Sequence, residues 1–154
     1  MTLSSLLAPE AVFSGLKANS KKQLLQDLSA LIAPLVGLSD RLIFETLIQR
    51  ERLGSTGIGQ GIAIPHGRMK GVTRLVGFFA KLARPVDFDS MDGEPADLIF
   101  VLLAPEEAGA DHLQALARVA RVFRNSRTAQ TLRQAEDRAA LYAILTAETS
   151  TRAA

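Results

Sequence analysis

Leu98-Ile99-Phe100-Val101-Leu102-Leu103 is an unbroken apolar run. A strand points successive side chains to opposite faces, so such a run has both faces buried. A second strand is predicted over 73–82, marked by Leu75, Val76, Phe78, Phe79 and Leu82, and Met91-Asp92-Gly93-Glu94 between the two is a turn signal. The shorter run Ile62-Ala63-Ile64 stops at Pro65, and a weaker strand is placed near Val12-Phe13-Ser14.

Helical periodicity surrounds these strands. Ser20-Lys21-Lys22-Gln23 has the form of a capping box. Leu24, Leu25, Leu28, Leu31, Ile32 and Leu35 follow at helical spacing, which predicts an amphipathic helix over 21–36 ended by Gly37. Ser39 caps a second helix over 40–53, stopped by Gly54. Asp111 is placed as the cap of a third, with Leu113, Leu116, Ala117, Ala120 and Phe123 on one face, and shorter helices are expected over 127–134 and 137–147. A mixed sheet covered on both faces buries all these stripes. The expected fold is therefore α/β: three layers, α/β/α, with a mixed β-sheet of four to five strands flanked by helices. Residues 1–148 are expected to form a single domain and 149–154 a disordered tail.

The chain has 154 residues, enough for one domain with its own core. Hydrophobic residues make up 47% and charged residues 22%, the balance of a globular chain rather than a disordered one. Cysteine is absent. That excludes disulfides, thiolate nucleophiles and cysteine zinc sites, and it suits a reducing compartment. The uncharged run Leu28 to Ser39 is interrupted by Pro34 and Gly37. It is too short for a membrane span, which needs about 20 apolar residues. The first lysine is Lys17, so the N-terminus lacks the basic start of a signal peptide. A cytoplasmic protein without membrane insertion is expected.

Charge is unevenly placed. The net charge is +2, but residues 1–117 are net acidic and 118–154 net basic, with Arg118, Arg121, Arg124 and Arg127 forming a drifting stripe. The stripe reads first as a solvated helix face and second as a patch for an acidic partner. No nucleic-acid partner is expected, because the chain has no Trp and one Tyr and does not interleave aromatics with basic residues.

Five of the 11 glycines fall between Gly54 and Gly67. Glycine lets backbone N–H groups turn toward an anion, and a tight structural turn explains the concentration equally well. Gly54-Ser55-Thr56-Gly57-Ile58-Gly59 has the spacing of a nucleotide P-loop, but Gln60-Gly61 stands where Lys-Ser/Thr is required. Gly57 and Gly59 lack the third glycine of a dinucleotide fingerprint, since Ile62 holds its place. Asp87, Asp89 and Asp92 invite a calcium reading that fails at Met91 and Leu98, leaving a polar turn. The two histidines, His66 and His112, are too few for a metal site without a third ligand, so no metal and no cofactor are expected.

His66 follows the apolar run and Pro65 and precedes Gly67, a position from which a side chain can be presented to solvent. A neutral imidazole is abundant near neutral pH and can accept a phosphoryl group and later release it. The phosphoryl oxygens then need donors held in place. The candidates are nearby backbone amides, Arg50, Arg52, Arg68, Ser55, Thr56 and the second imidazole, His112.

The stretch from Arg50 to Gly67, RERLGSTGIGQGIAIPHG, resembles the signature of the phosphotransferase-system IIA components of the fructose/mannitol type, and within them the nitrogen-regulatory branch, enzyme IIA-Ntr. The resemblance implies that His66 accepts a phosphoryl group from an HPr-type phosphocarrier protein (NPr). It places Arg50 and His112, in Asp111-His112-Leu113, beside the phosphorylated nitrogen. Ser55, Thr56, Gly57, Gly67 and Arg68 are expected to bind the phosphate. It further implies a mixed sheet between helices and a transient phosphoprotein intermediate rather than a stand-alone catalyst. The implied role is mainly regulatory, with targets such as potassium-uptake systems or sensor kinases. The alternative is a sugar-specific IIA component that hands phosphate to a IIB domain for fructose or mannitol uptake.

Overall fold

The structure is a computed structural model that describes the backbone of residues 2–153 and the side chains of residues 2–147. The tail expected over 149–154 lies outside the described side chains. The elements in chain order are α1 (Leu3–Leu6), β1 (Leu7–Leu16), α2 (Lys21–Val36), α3 (Asp40–Leu53), β2 (Gly57–Gly59), β3 (Ile62–Ala63), β4 (His66–Met69), β5 (Val76–Val86), β6 (Ala96–Pro105), α4 (Ala110–Arg124), α5 (Ser126–Gln134) and α6 (Arg138–Ala153).

The strands form one mixed sheet in the order β1-β5-β6-β3-β2, and β4 also pairs with β6. β6 is the apolar run of the sequence, and all its residues from Leu98 to Ala104 are buried, so both faces are covered. It pairs antiparallel with β5 and parallel with both β3 and β4. β3 and β4 thus behave as one strand broken at Ile64-Pro65. Proline has no N–H to give to a ladder, but its carbonyl accepts the Leu102 N–H at 3.0 Å, so the pairing with β6 resumes at once. This layered α/β fold is the expected one, with six strands among the described residues instead of four to five. The extra strands are β2 and β4, short segments inside the glycine-rich stretch whose apolar pattern is too brief to read.

α2 and α3 have the predicted bounds. The Ser20 hydroxyl accepts the Gln23 N–H at 3.1 Å, but the Gln23 side chain reaches back to the Asn19 N–H, one residue beyond the cap, so the box is only half reciprocal. Gly37 closes α2 at φ 69°, the left-handed region that favours glycine. β5 starts at Val76 rather than 73 and runs on to Val86. Beyond Lys81 its register with β6 slips, and Ala83, Arg84 and Pro85 pass along exposed backbone where a proline is tolerated. Asp111 is not the cap of α4. Gly109 is, without a side-chain hydrogen bond, and Asp111 stands in the first turn, where an acidic group suits the helix dipole.

Candidate functional site

α3, β4 and the start of α4 converge on an open cleft of ≈ 910 Å³, lined among others by Thr46, Arg50, His66, Arg68, His112 and Leu113. His66 is the first residue of β4 and sits half-buried at the break in the β3–β4 strand. Its Nδ1 lies 2.7 Å from the Ile64 carbonyl oxygen. A carbonyl cannot donate, so Nδ1 carries the proton and, in the neutral ring, Nε2 carries the lone pair. Pro65 and the β6 ladder fix the backbone between donor and acceptor.

The second imidazole belongs to α4. His112 is 9% exposed, and its ring centroid lies 5.5 Å from that of His66 at an interplanar angle of 62°. Its Nε2 is buried and has no hydrogen-bond partner among the described residues. Burial lowers the His66 pKa below 6.5; Arg50 adds to the drop, while the Ile64 carbonyl and Glu51 oppose it. His112 is also lowered, by burial first and then by the positive forms of His66 and Arg68. Both rings are therefore neutral at pH 7.

Two guanidiniums line the cleft. Arg50 stands in the last turn of α3 and donates from Nη1 to the Gly54 carbonyl at 3.0 Å, so it caps its helix as well as facing the cleft. Arg68 is exposed on β4 and donates from Nη1 to the Ala108 carbonyl at 2.7 Å. Arg52 is exposed and does not line the cleft.

Three expected phosphate ligands are not brought to the cleft. The Ser55 hydroxyl donates to the Phe88 carbonyl and accepts the Gly57 N–H at 3.0 Å. Thr56 is buried and gives both its N–H, at 2.9 Å, and its hydroxyl to the Glu51 carboxylate. Gly57 opens the β2–β3 hairpin, and a Cβ there would stand 2.1 Å from Ser90 Oγ. The hairpin turns through Gly59, Gln60 and Gly61, all at positive φ. The glycine-rich stretch is therefore a tight turn, the structural alternative. Gly67 does line the cleft, but its lack of a side chain serves packing, since a Cβ would meet Thr46 Cγ2 at 2.5 Å.

Glu51 is a buried residue behind the cleft that the sequence pattern leaves without a role. Ile43, Leu47 and Glu51 are spaced by four and form the buried stripe of α3. A carboxylate on an apolar stripe is the signal that identifies it. Leu53 carries no reading from the sequence, and Leu113, expected on the apolar face of α4, turns outward, because the buried face runs through His112, Ala115, Val119, Val122 and Phe123. Leu53 and Leu113 are 84% and 67% exposed, and both line the cleft beside the imidazoles. At the other end of α4, Arg121 and Arg124 are exposed and Arg118 is half-buried, while Arg127 is exposed on α5, beyond the break at Asn125, so the four arginines do not share one helix. Asp87 and Asp92 accept backbone N–H groups of their own loop and of Gln60, as turn residues do.

Comparison with known proteins identifies the class. The family model for the phosphoenolpyruvate-dependent sugar phosphotransferase system, EIIA 2, matches residues 5–148, and the chain belongs to that family. Within it, the chain is 52% identical over 153 residues to the nitrogen regulatory protein of Bradyrhizobium diazoefficiens, covering 99% of this chain and 100% of that one. The nitrogen regulatory protein of Escherichia coli is 41% identical over 147 residues, covering 95% of this chain and 90% of that one. The crystal structure of nitrogen regulatory protein IIA-Ntr from Neisseria meningitidis superposes with a TM-score of 0.88 at 39% identity, over 94% of this chain and 99% of that one. Among the described residues, no helix is long and apolar enough to cross a membrane.

Proposed function

We propose that the chain is a cytoplasmic phosphoryl carrier of a phosphoenolpyruvate-dependent phosphotransferase system, phosphorylated on His66 by an HPr-type phosphocarrier (NPr). Its main role in this reading is regulatory, toward targets such as potassium-uptake systems or sensor kinases. The observation that carries it is one imidazole with its Nδ1 proton held by a backbone carbonyl, opening on a cleft that also holds Arg50, Arg68 and His112. The names of the relatives at 52% and 41% identity support the regulatory branch.

The chemistry follows from the ring's state. The Nε2 lone pair of His66 attacks phosphorus, a new N–P bond forms, and the donor's bond to phosphorus breaks with its electron pair staying on the donor. The Nδ1 proton stays on His66 and remains shared with the Ile64 carbonyl. Negative charge on the phosphoryl oxygens is met by the two guanidiniums and by Nε2 of His112 when that nitrogen carries a proton to donate. Phosphoryl transfer demands little more than such positioning and charge stabilisation. The same charge, added to a rim with exposed Leu53 and Leu113, changes which partner surfaces dock there.

Intact mass after incubation with phosphoenolpyruvate, enzyme I and the phosphocarrier tests this. A gain of one phosphoryl group that disappears in His66→Ala is expected, with His112→Ala and Arg50→Ala slowing the gain by about 10²–10³, the usual cost of losing one charge-stabilising donor. No gain, or a gain that persists in His66→Ala, refutes the proposal. Efficient onward transfer to a fructose or mannitol IIB domain would favour the alternative, a sugar-specific IIA component.

A further inference from the structure

The Glu51 side chain is 2% exposed. A buried carboxylate is costly unless its oxygens are paired. Here Oε2 takes the Thr56 N–H at 2.9 Å and the Lys21 ammonium at 3.3 Å, while Oε1 takes the Thr56 hydroxyl. Lys21 also binds Asp89 at 2.9 Å and lies over the Phe88 ring at 5.6 Å, which ties the 87–89 loop into the same cluster. Gripping Thr56 by two atoms fixes its rotation as well as its place. An apolar residue at position 51 would complete the α3 stripe and leave Thr56 loose.

The grip continues toward the cleft. The Thr56 carbonyl accepts the Ile64 N–H at 2.9 Å, and the Ile64 carbonyl accepts the His66 Nδ1–H at 2.7 Å. Residue 64 falls in the gap between β3 and β4, where it is not itself paired in the β6 ladder. Pro65 and the β6 ladder hold the Ile64 carbonyl from its C-terminal side, and the Ile64 N–H bond to Thr56 holds it from the N-terminal side, where it steadies the carbonyl that selects the tautomer of His66. We propose that Glu51 is a positioning residue for phosphoryl acceptance: acting through Thr56 and Ile64, its buried carboxylate holds the His66 ring in the Nδ1–H tautomer and keeps Nε2 free as the nucleophile.

This rests on the reading of His66 as the acceptor, so the closing experiment separates the two. The charged and titratable groups around His66 are Arg50 and Glu51 from α3, Arg68 from β4 and His112 from α4. Of these, Glu51 alone favours the protonated ring by its charge.

Ring-nitrogen NMR of His66 in the free chain, compared between wild type, Glu51→Gln and Thr56→Val, reads the tautomer without any phosphocarrier. Wild type is expected as one Nδ1–H tautomer. Glu51→Gln is expected as a mixture with the Nε2–H form, with its His66 pKa below that of wild type and phosphoryl acceptance slowed by about 10–100-fold, the scale on which outer partners of a functional imidazole act. Thr56→Val, which removes one bond of the grip and keeps the charge, moves the tautomer in the same direction by less and leaves the pKa closer to wild type. A purely structural role would lower the melting temperature and leave tautomer, pKa and rate of the folded protein unchanged, and that result overturns the proposal. Should Glu51→Gln fail to fold, a wild-type tautomer in Thr56→Val overturns it equally. If wild type accepts no phosphoryl group, the carrier reading fails, while the tautomer comparison still decides the role of Glu51.

Discussion

His66 and His112 share one cleft, and a proton on either ring is opposed by burial and by neighbouring positive charge. Both pKa values lie below 6.5, so the folded state binds fewer protons than the unfolded state as pH falls through that value. Stability contributed by the two neutral rings is complete above pH about 6.5 and is lost progressively below it, down to the folded-state pKa values. NMR titration is expected to show both rings titrating below 6.5, and the pH-dependent loss of melting temperature to shrink in His112→Gln. A His112 midpoint at or above 6.5 in the unphosphorylated chain would contradict the geometry. In the proposed phosphorylated state, the phosphoryl group on His66 adds negative charge beside His112. The His112 pKa is then expected to rise relative to the free chain, because a nearby anion favours the imidazolium. Of the residues that line the cleft, His66 and His112 stand out in the sequence because their types are rare here and their chemistry narrow. Ser55 and Thr56 were misread because a hydroxyl's role depends on which carboxylate or carbonyl it meets. That meeting is set by the fold of the 54–64 hairpin and by Glu51, five residues away.

Between elements, the cleft depends on how closely β4 approaches α3. At Gly67 a Cβ would lie 2.5 Å from Thr46 Cγ2 and 3.5 Å from the Thr46 carbonyl. The backbone there is ordinary strand, so alanine meets a steric obstacle and no conformational one. Gly67→Ala is expected to cost about 1–3 kcal/mol by overpacking and to push the Arg50-bearing helix away from His66. Thr46→Ser removes the opposing methyl. In a denaturant double-mutant cycle the pair should recover most of the loss, and strictly additive costs would show that the two sites do not touch. The same scale explains what the sequence concealed about the elements. α2 and α3 were legible to the residue because serine caps and glycine stops bracket leucine stripes. β2 and β4 were hidden because they are three and four residues long. They exist only through pairing with β3 and β6, partners that no local pattern reveals.

Across the whole molecule, the two imidazoles are brought together by one core. His66 is carried by the sheet through the β4–β6 ladder, and His112 rides on α4. α4 is fastened by Phe123, near its far end: the Phe123 ring stacks on Phe79 of β5 at 5.8 Å and leans on Phe100 of β6 at 5.9 Å. All three rings are fully buried. Aromatic clusters of this kind dominate core energetics, and truncating one leaves a cavity that the sheet cannot collapse to fill. Phe123→Ala is expected to cost about 3–5 kcal/mol. At about 2–4 °C per kcal/mol for a domain of this size, thermal unfolding should begin well over 5 °C lower. Because the cavity opens under α4 and not under β4, the damage is directional. The His66 ring keeps its Ile64 partner and tautomer, while the His112 ring loses its fixed distance to it. Ring-nitrogen NMR below the melting point should therefore show His66 close to wild type and His112 broadened or shifted. The opposite pattern would mean that α4 is held by its N-terminal turn rather than by Phe123.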